Sequence, residues 1–209
     1  MSSMEFFSPL ITLWAVQLLA AISPGQSFVL ISKLALSNPR SVALSAAMGL
    51  GLGTIIWSSA AILGVALLLE TAAWAYTAFK IAGGIYLVWL AVMLWHHASE
   101  PVEPDSAKAK LITPWRAFTL GSVTQLANPK VVVFFGSIFV ALLPAHAPGW
   151  VYVTAIIIVF INEIGWYSVV ALLFSSARPR AAYMRAKMWI DRVMAGFLAL
   201  IGVRLIAEG

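Results

Sequence analysis

Two charged side chains lie deep inside apolar stretches of the chain. Glu163 follows Asn162 and precedes Tyr167 by one turn, and Lys130 directly follows Pro129. Ionisable residues in such segments generally mark a solute or proton pathway. We expect Glu163 to exchange a proton or hold an ammonium group, and Lys130 to balance charge or contact a carboxylate. A permanent ion pair between the two residues would equally account for their presence.

Two prolines interrupt apolar stretches, each behind a residue that commonly caps a helix. The segments are Ser23-Pro24-Gly25-Gln26 and Asn128-Pro129. Proline breaks a running helix, whereas Ser or Asn followed by proline typically begins one. Each site therefore predicts the end of one half-helix and the start of another, with Ser23 and Asn128 as caps. The free N–H groups at such starts bind carboxylates; two purely structural kinks are the alternative.

Other polar residues are spaced to line the same cavity. They are Gln17, Lys80, Gln125, Asn162 and Tyr167. The amides could instead join neighbouring helices, and the long stem of Lys80 could carry its charge to the surface. The chain has no cysteine and no histidine cluster inside an apolar stretch, so we expect neither a metal site nor a cofactor.

The composition is that of an integral membrane protein. Hydrophobic residues make up 62% of the chain, charged residues 10%, and the mean hydropathy is +0.94. A soluble domain of 209 residues could not bury so much apolar surface. The net charge of +5 then favours anionic lipid head groups, and not nucleic acid, as the basic residues' partner.

Six apolar stretches are long enough to cross a bilayer as helices. They cover residues 6–36, 41–69, 72–96, 115–143, 149–175 and 188–207. The polar segment 97–114 divides the chain into units 1–96 and 115–209, each with three spans. A proline break in the first span of each unit, and an odd number of spans per unit, predict two inverted three-helix repeats in an all-α fold.

Basic residues give the predicted orientation. Ten of the thirteen Lys and Arg residues lie in the first, third and fifth connections. The positive-inside rule makes that face cytoplasmic, including 97–114, and places both termini outside. Asp191-Arg192, near the fifth connection, is most simply an interfacial pair. Gly49-x-x-x-Gly53 in the second span predicts the close approach of a neighbouring helix.

Several different short motifs are spread over almost the whole chain in a characteristic order. They are Ser23-Pro24-Gly25, the glycines Gly49, Gly51 and Gly53, Lys80-x-x-Gly83-Gly84-x-Tyr86-Leu87, Asn128-Pro129-Lys130-x4-Phe135, Trp166-Tyr167 and Ala195-Gly196-x5-Gly202-x-Arg204. Together they resemble the LysE/RhtB superfamily of small bacterial amino-acid exporters. Gln26 departs from the family pattern, which usually has a second proline there. The resemblance implies proton-driven export of amino acids or related zwitterions across the bacterial cytoplasmic membrane.

We therefore expect a secondary transporter with its substrate site at the two breaks. Ser23, Pro24, Gly25, Gln26, Asn128, Pro129 and Lys130 would surround a carboxylate, and Glu163 would take the ammonium or the coupling proton. A homo-oligomer is compatible with the sequence. The main alternative is a channel for water or small neutral solutes built from paired half-helices. An enzyme would need a nucleophile–base pair that is not evident, and a scaffold would not need buried charges.

Overall fold

A computed structural model describes residues 6–71, 73–100, 111–143, 147–174 and 176–207. These residues form eight α-helices and no strand, which confirms the all-α prediction. The helices are α1 (Phe7–Ile22), α2 (Gln26–Ser37), α3 (Arg40–Thr71), α4 (Ala73–His97), α5 (Pro114–Leu126), α6 (Pro129–Leu142), α7 (Gly149–Leu173) and α8 (Ala177–Ala207). Most of the predicted linker 97–114 and both chain ends lie outside the described residues.

Three helices are long and apolar enough to cross a membrane alone, over Arg40–Val65 of α3, Thr77–His97 of α4 and the whole of α7. Two further pairs qualify when each is taken as one bent span. These are α1 with α2, bent by 55°, and α5 with α6, bent by 57°. The described chain thus has up to five spans by length and composition. The predicted sixth span, 188–207, lies within α8, which is long but carries several charged residues.

The second break is built as the sequence predicts. Pro129 is at the start of α6, and Asn128 is its N-cap. The Asn128 side-chain oxygen accepts a hydrogen bond of 3.1 Å from the backbone N–H of Lys130. A capping residue followed by proline therefore begins the half-helix at this site.

The first break is built differently. Helix α2 begins at Gln26 with Gly25 as its N-cap and without a side-chain cap, while Ser23 terminates α1 in an extended conformation. The prediction that Ser23 caps the second half-helix is therefore wrong. Pro24 and Gly25 separate it from the first turn of α2, and its hydroxyl bonds to a different helix.

Glycines permit close approach at two helix pairs. A Cβ atom at Gly49 would collide with the backbone of α5, and one at Gly53 would meet the Gln125 side chain. The predicted close packing at this motif is therefore confirmed. Gly84 of α4 and Gly202 of α8 each face the other's carbonyl oxygen, so a side chain at either position would force these helices apart.

Contacts between helices define their relative directions. In α1 with α7, and in α3 with α5, residues with higher numbers in one helix contact residues with higher numbers in the other, so these pairs run parallel. In α4 with α8 the order is reversed, so this pair runs antiparallel. The defining contacts are Phe6 with Trp150 and Gln17 with Glu163, Ala46 with Gly121 and Trp57 with Leu126, and Gly84 with Gly202 and Ala98 with Lys187. This arrangement brings both helix breaks beside the middle of α7.

Candidate functional site

A small internal cavity of about 40 Å³ lies where the two helix breaks meet α7. Most of the residues predicted for the site line it. They are Gln17, Ser23, Gly25, Gln125, Asn128, Lys130, Glu163 and Tyr167. Phe134 and Phe135 close its apolar side. The space is large enough for a few water molecules, and eight of its fourteen lining residues have polar side chains.

Glu163 is the buried carboxylate of this cavity, with 5% of its surface exposed. Both of its oxygens accept hydrogen bonds from glutamine amides. Gln17 Nε2 lies 2.9 Å from Oε2, and Gln125 Nε2 lies 2.6 Å from Oε1. These bonds offset part of the cost of burying the carboxylate. They also link α1, α5 and α7 through one side chain.

Gln125 is the hub of this network. Its Nε2 also donates to Thr54 Oγ1 at 2.8 Å, and its Oε1 accepts from Ser27 Oγ at 2.8 Å. Both amide hydrogens and the carbonyl are therefore used, which fixes the orientation of the amide. Gln17 is less constrained, because its Oε1 is buried without a partner in the described structure.

Sequence reasoning missed Ser27 and Thr54. A signal was available for each: Ser27 follows the first break within three residues, and Thr54 follows Gly53. Gly53 lies against the Gln125 side chain, where a larger residue would collide. The signal for Thr54 was weak, because the sequence did not show which helix the glycine face of the second span approaches.

Lys130 lies beside the cavity but does not form an ion pair with Glu163 among the described residues. Its Nζ donates only a long hydrogen bond, 3.5 Å, to the Ala20 carbonyl oxygen. A permanent Glu163–Lys130 ion pair is therefore not observed, and most of the hydrogen-bonding capacity of Lys130 remains available.

The start of α2, where Gly25 and Ser27 line the cavity, has free backbone donors. The N–H groups of Gln26, Ser27 and Phe28 have no acceptor among the described residues, because α2 lacks a side-chain cap. At α6, in contrast, Asn128 already accepts bonds from the N–H groups of Lys130 and Val131. The anion-binding amides expected at both breaks are thus available mainly at the first.

A wider vestibule of about 280 Å³ adjoins the cavity. Ser23 and Lys130 line both spaces. Pro24 faces the vestibule, whose far side is lined by residues at the end of α4 and the first half of α8, including His97 and Lys187. The vestibule therefore leads from that end of the molecule towards the cavity.

Asp191, not predicted for the site, lies in the vestibule wall and is buried. It forms an ion pair of 2.9 Å with Lys187 and accepts a hydrogen bond of 2.9 Å from Ser23 Oγ. Lys187 also donates to the carbonyl oxygens of His97 and Ala98, at 3.0 and 3.1 Å. The prediction of an interfacial Asp191–Arg192 pair is wrong, because the i,i+4 neighbour Lys187 lies on the buried face of α8 with Asp191.

Four predicted site residues line neither the cavity nor the vestibule: Pro129, which begins α6, and Gln26, Asn162 and Lys80. Gln26 is exposed and borders a shallow groove with Leu30 and Val123. Asn162 is buried and donates to the Trp14 carbonyl oxygen at 2.9 Å, which joins α7 to α1. Lys80, in α4, is not among the lining residues. The described residues contain no group of three His, Asp or Glu side chains able to hold a metal ion.

Comparison with known proteins gives a consistent result. A family model described as LysE type translocator matches residues 18–209. The threonine efflux protein of Escherichia coli K12 is 31% identical over 198 residues, covering 94% of this chain and 96% of the relative. The Salmonella typhi threonine efflux protein is 30% identical over 93% of this chain and 96% of the relative. The cysteine/O-acetylserine efflux protein of Escherichia coli O139:H28 is 28% identical over 73% of this chain and 75% of the relative. No solved structure matches.

Proposed function

Because the chain belongs to the LysE type translocator family, we propose that it exports small amino acids from the cytoplasm through the cavity at the two helix breaks. Family membership confirms the resemblance found in the sequence and makes the chain a transporter and not an enzyme. The relatives are named for threonine, cysteine and O-acetylserine. We infer a substrate of the same class, a small amino acid whose side chain carries no charge.

The observation that carries this proposal is the pairing of opposite charges across one buried cavity. The free N–H groups of α2 and the ammonium of Lys130 are suited to a carboxylate. Glu163 is suited to the ammonium of the same zwitterion. A cavity of about 40 Å³ is smaller than an amino acid, so the half-helices must move apart to admit it, as expected for a site between rocking halves.

The isolation of Glu163 from cations supports proton antiport. A buried carboxylate without a cation is costly, and here only neutral amides contact it. Either a proton or the substrate ammonium can neutralise it, but not both together. We therefore propose that substrate displaces the proton on the cytoplasmic side, and that a proton replaces the substrate on the outer side. Each cycle then exchanges one for the other.

The proposed membrane arrangement is six spans in two inverted halves, 1–96 and 115–209, in the cytoplasmic membrane. If the halves are repeats, α1 corresponds to α5, and α3 corresponds to α7. The α1–α7 pair then corresponds to the α5–α3 pair, and both pairs are parallel. The bends of 55° and 57° correspond in the same way. The basic residues put the vestibule on the cytoplasmic side and both termini outside, so the cavity would load from the cytoplasm.

The direct experiment is counterflow in liposomes containing the purified chain. Vesicles loaded with unlabelled threonine should accumulate labelled threonine, saturably, and labelled cysteine or O-acetylserine should compete. Lysine should not. A channel for neutral solutes predicts a flux that neither saturates nor shows counterflow, because a channel does not alternate between two exposures of one site. Absence of counterflow for all these amino acids would overturn the proposed substrate class.

A further inference from the structure

Arg192 is a cation on the outer surface of the α4–α8 pair. Its neighbour Asp191 is buried and engaged by Lys187 and Ser23. No acidic side chain of the described chain lies within ion-pair distance of Arg192, which itself is partly exposed. A guanidinium group remains charged at any relevant pH. Any anion that pairs with it therefore comes from outside the described residues.

Two exposed indoles hold this guanidinium. Cζ of Arg192 lies 5.4 Å from the ring centroid of Trp95 in α4 and 5.8 Å from that of Trp189 in α8. The tryptophans are 54% and 63% exposed. The Nε atom of Arg192 is buried without a partner. Such contacts orient the guanidinium plane and leave its outer edge able to donate two parallel hydrogen bonds.

Arg192 lies where the charged first part of α8 gives way to its apolar second part. Before Arg192 the helix carries several basic residues, whereas after it Arg204 is the only charged residue in its described part. Tryptophan is also enriched at the boundary between hydrocarbon and head groups. One turn beyond Arg192, a Cβ atom at Gly196 would meet nothing within 4 Å. The surface beside the guanidinium is thus not filled by a protein side chain.

We propose that Arg192, Trp95 and Trp189 form a binding site for an anionic phospholipid. The guanidinium pairs with the lipid phosphate, and the two indoles contact the glycerol region and the first part of an acyl chain. The ligand is a lipid because exposed indoles on both sides of the cation provide apolar contacts that a free phosphate cannot use. Basic sites between membrane helices at the cytoplasmic side are known to take such head groups. Binding there joins α4 to α8.

The test is native mass spectrometry of the detergent-purified chain titrated with phosphatidylglycerol. Arg192→Gln should bind the lipid about tenfold more weakly or worse, and Arg192→Lys should be intermediate, since it keeps the charge but not the planar fork. Arg185→Gln is the matched control, because Arg185 is an exposed cation of the same helix. It should bind like the unmodified chain. Phosphatidylcholine should bind more weakly than phosphatidylglycerol, and inorganic phosphate should not compete.

Three results would overturn the site. Arg192→Gln could bind phosphatidylglycerol as the unmodified chain does, Arg185→Gln could lose as much binding, or inorganic phosphate could displace the lipid. The first result would show that Arg192 does not bind the lipid. The second would show that any cation of the helix contributes equally. The third would show that the site binds free anions and not specifically a lipid. Size-exclusion profiles establish that each variant is folded. Should Arg192→Gln not fold, Trp189→Leu replaces it, and unchanged lipid binding by that variant would also overturn the site.

Discussion

Gln125 Nε2 lies 2.6 Å from Glu163 Oε1, the shortest of the side-chain hydrogen bonds in the cavity. The same nitrogen also donates to Thr54, and the amide oxygen accepts from Ser27. One amide therefore holds the buried carboxylate and ties it to the half-helix that follows the first break. Movement at that break and the chemical state of Glu163 are physically connected through Gln125.

Replacing Gln125 by leucine should destabilise the protein more than replacing Gln17 by leucine. The first change removes the Gln125 hydrogen bonds to Glu163 Oε1, Thr54 Oγ1 and Ser27 Oγ, at about 1–3 kcal/mol for each buried group left unsatisfied. The second removes a single donor, since Gln17 Oε1 already has no partner. Thermal unfolding in detergent measures both. Equal stability of the two variants would show that Gln125 is not the hub of the network.

Asp191→Asn should cost about 3–5 kcal/mol, because it leaves Lys187 buried opposite a neutral group. Replacing both residues with apolar ones, as in Lys187→Met/Asp191→Leu, should restore much of that loss. Arg185→Gln on the same helix is exposed and should have little effect. Unfolding curves of the three variants decide the matter. An Asp191→Asn variant as stable as Arg185→Gln would contradict a structural role for this pair.

Gly84→Ala should destabilise the chain by about 1–3 kcal/mol, because the added methyl group meets the Gly202 carbonyl. Gly196→Ala, in the facing helix α8, should be neutral or slightly stabilising. Its Cβ has open space, and alanine is the better helix former. If the two alanine variants unfold at the same temperature, the result would contradict the close packing of α4 against α8 at Gly84.

Single cysteines report the orientation, since the chain has none of its own. Cysteines at Ser41 and Ser176 should be protected from an impermeant thiol reagent in intact cells, and one at Gly149 should react. All three positions are exposed. Permeabilised cells serve as the control for reactivity. The reverse pattern, with Ser41→Cys labelled from outside, would invert the proposed topology.

The sequence was sufficient for the helical fold and for most of the cavity, because each depends on local signals. Asn128 followed by proline favours the start of a helix from local sequence alone, and Glu163 in an apolar stretch is recognisable as a candidate site residue. The remaining features depend on which helices pack together. Ser23 bonds to Asp191, 168 residues further along the chain, and nothing near Ser23 in the sequence indicates that partner. For the same reason Thr54 was missed and Gln26 was expected in the cavity.

The most direct test of the account is Glu163→Gln in proteoliposomes. The variant should fold, because the unpartnered Gln17 oxygen allows that amide to turn and accept from the new side chain. It cannot lose or gain a proton at this position. Threonine efflux driven by a pH gradient should therefore be abolished. Exchange of labelled for unlabelled threonine should persist at saturating threonine, with weaker binding, because glutamine offers the substrate ammonium an acceptor but no charge. Gradient-driven efflux at the unmodified rate by the folded variant would contradict the coupling role of Glu163.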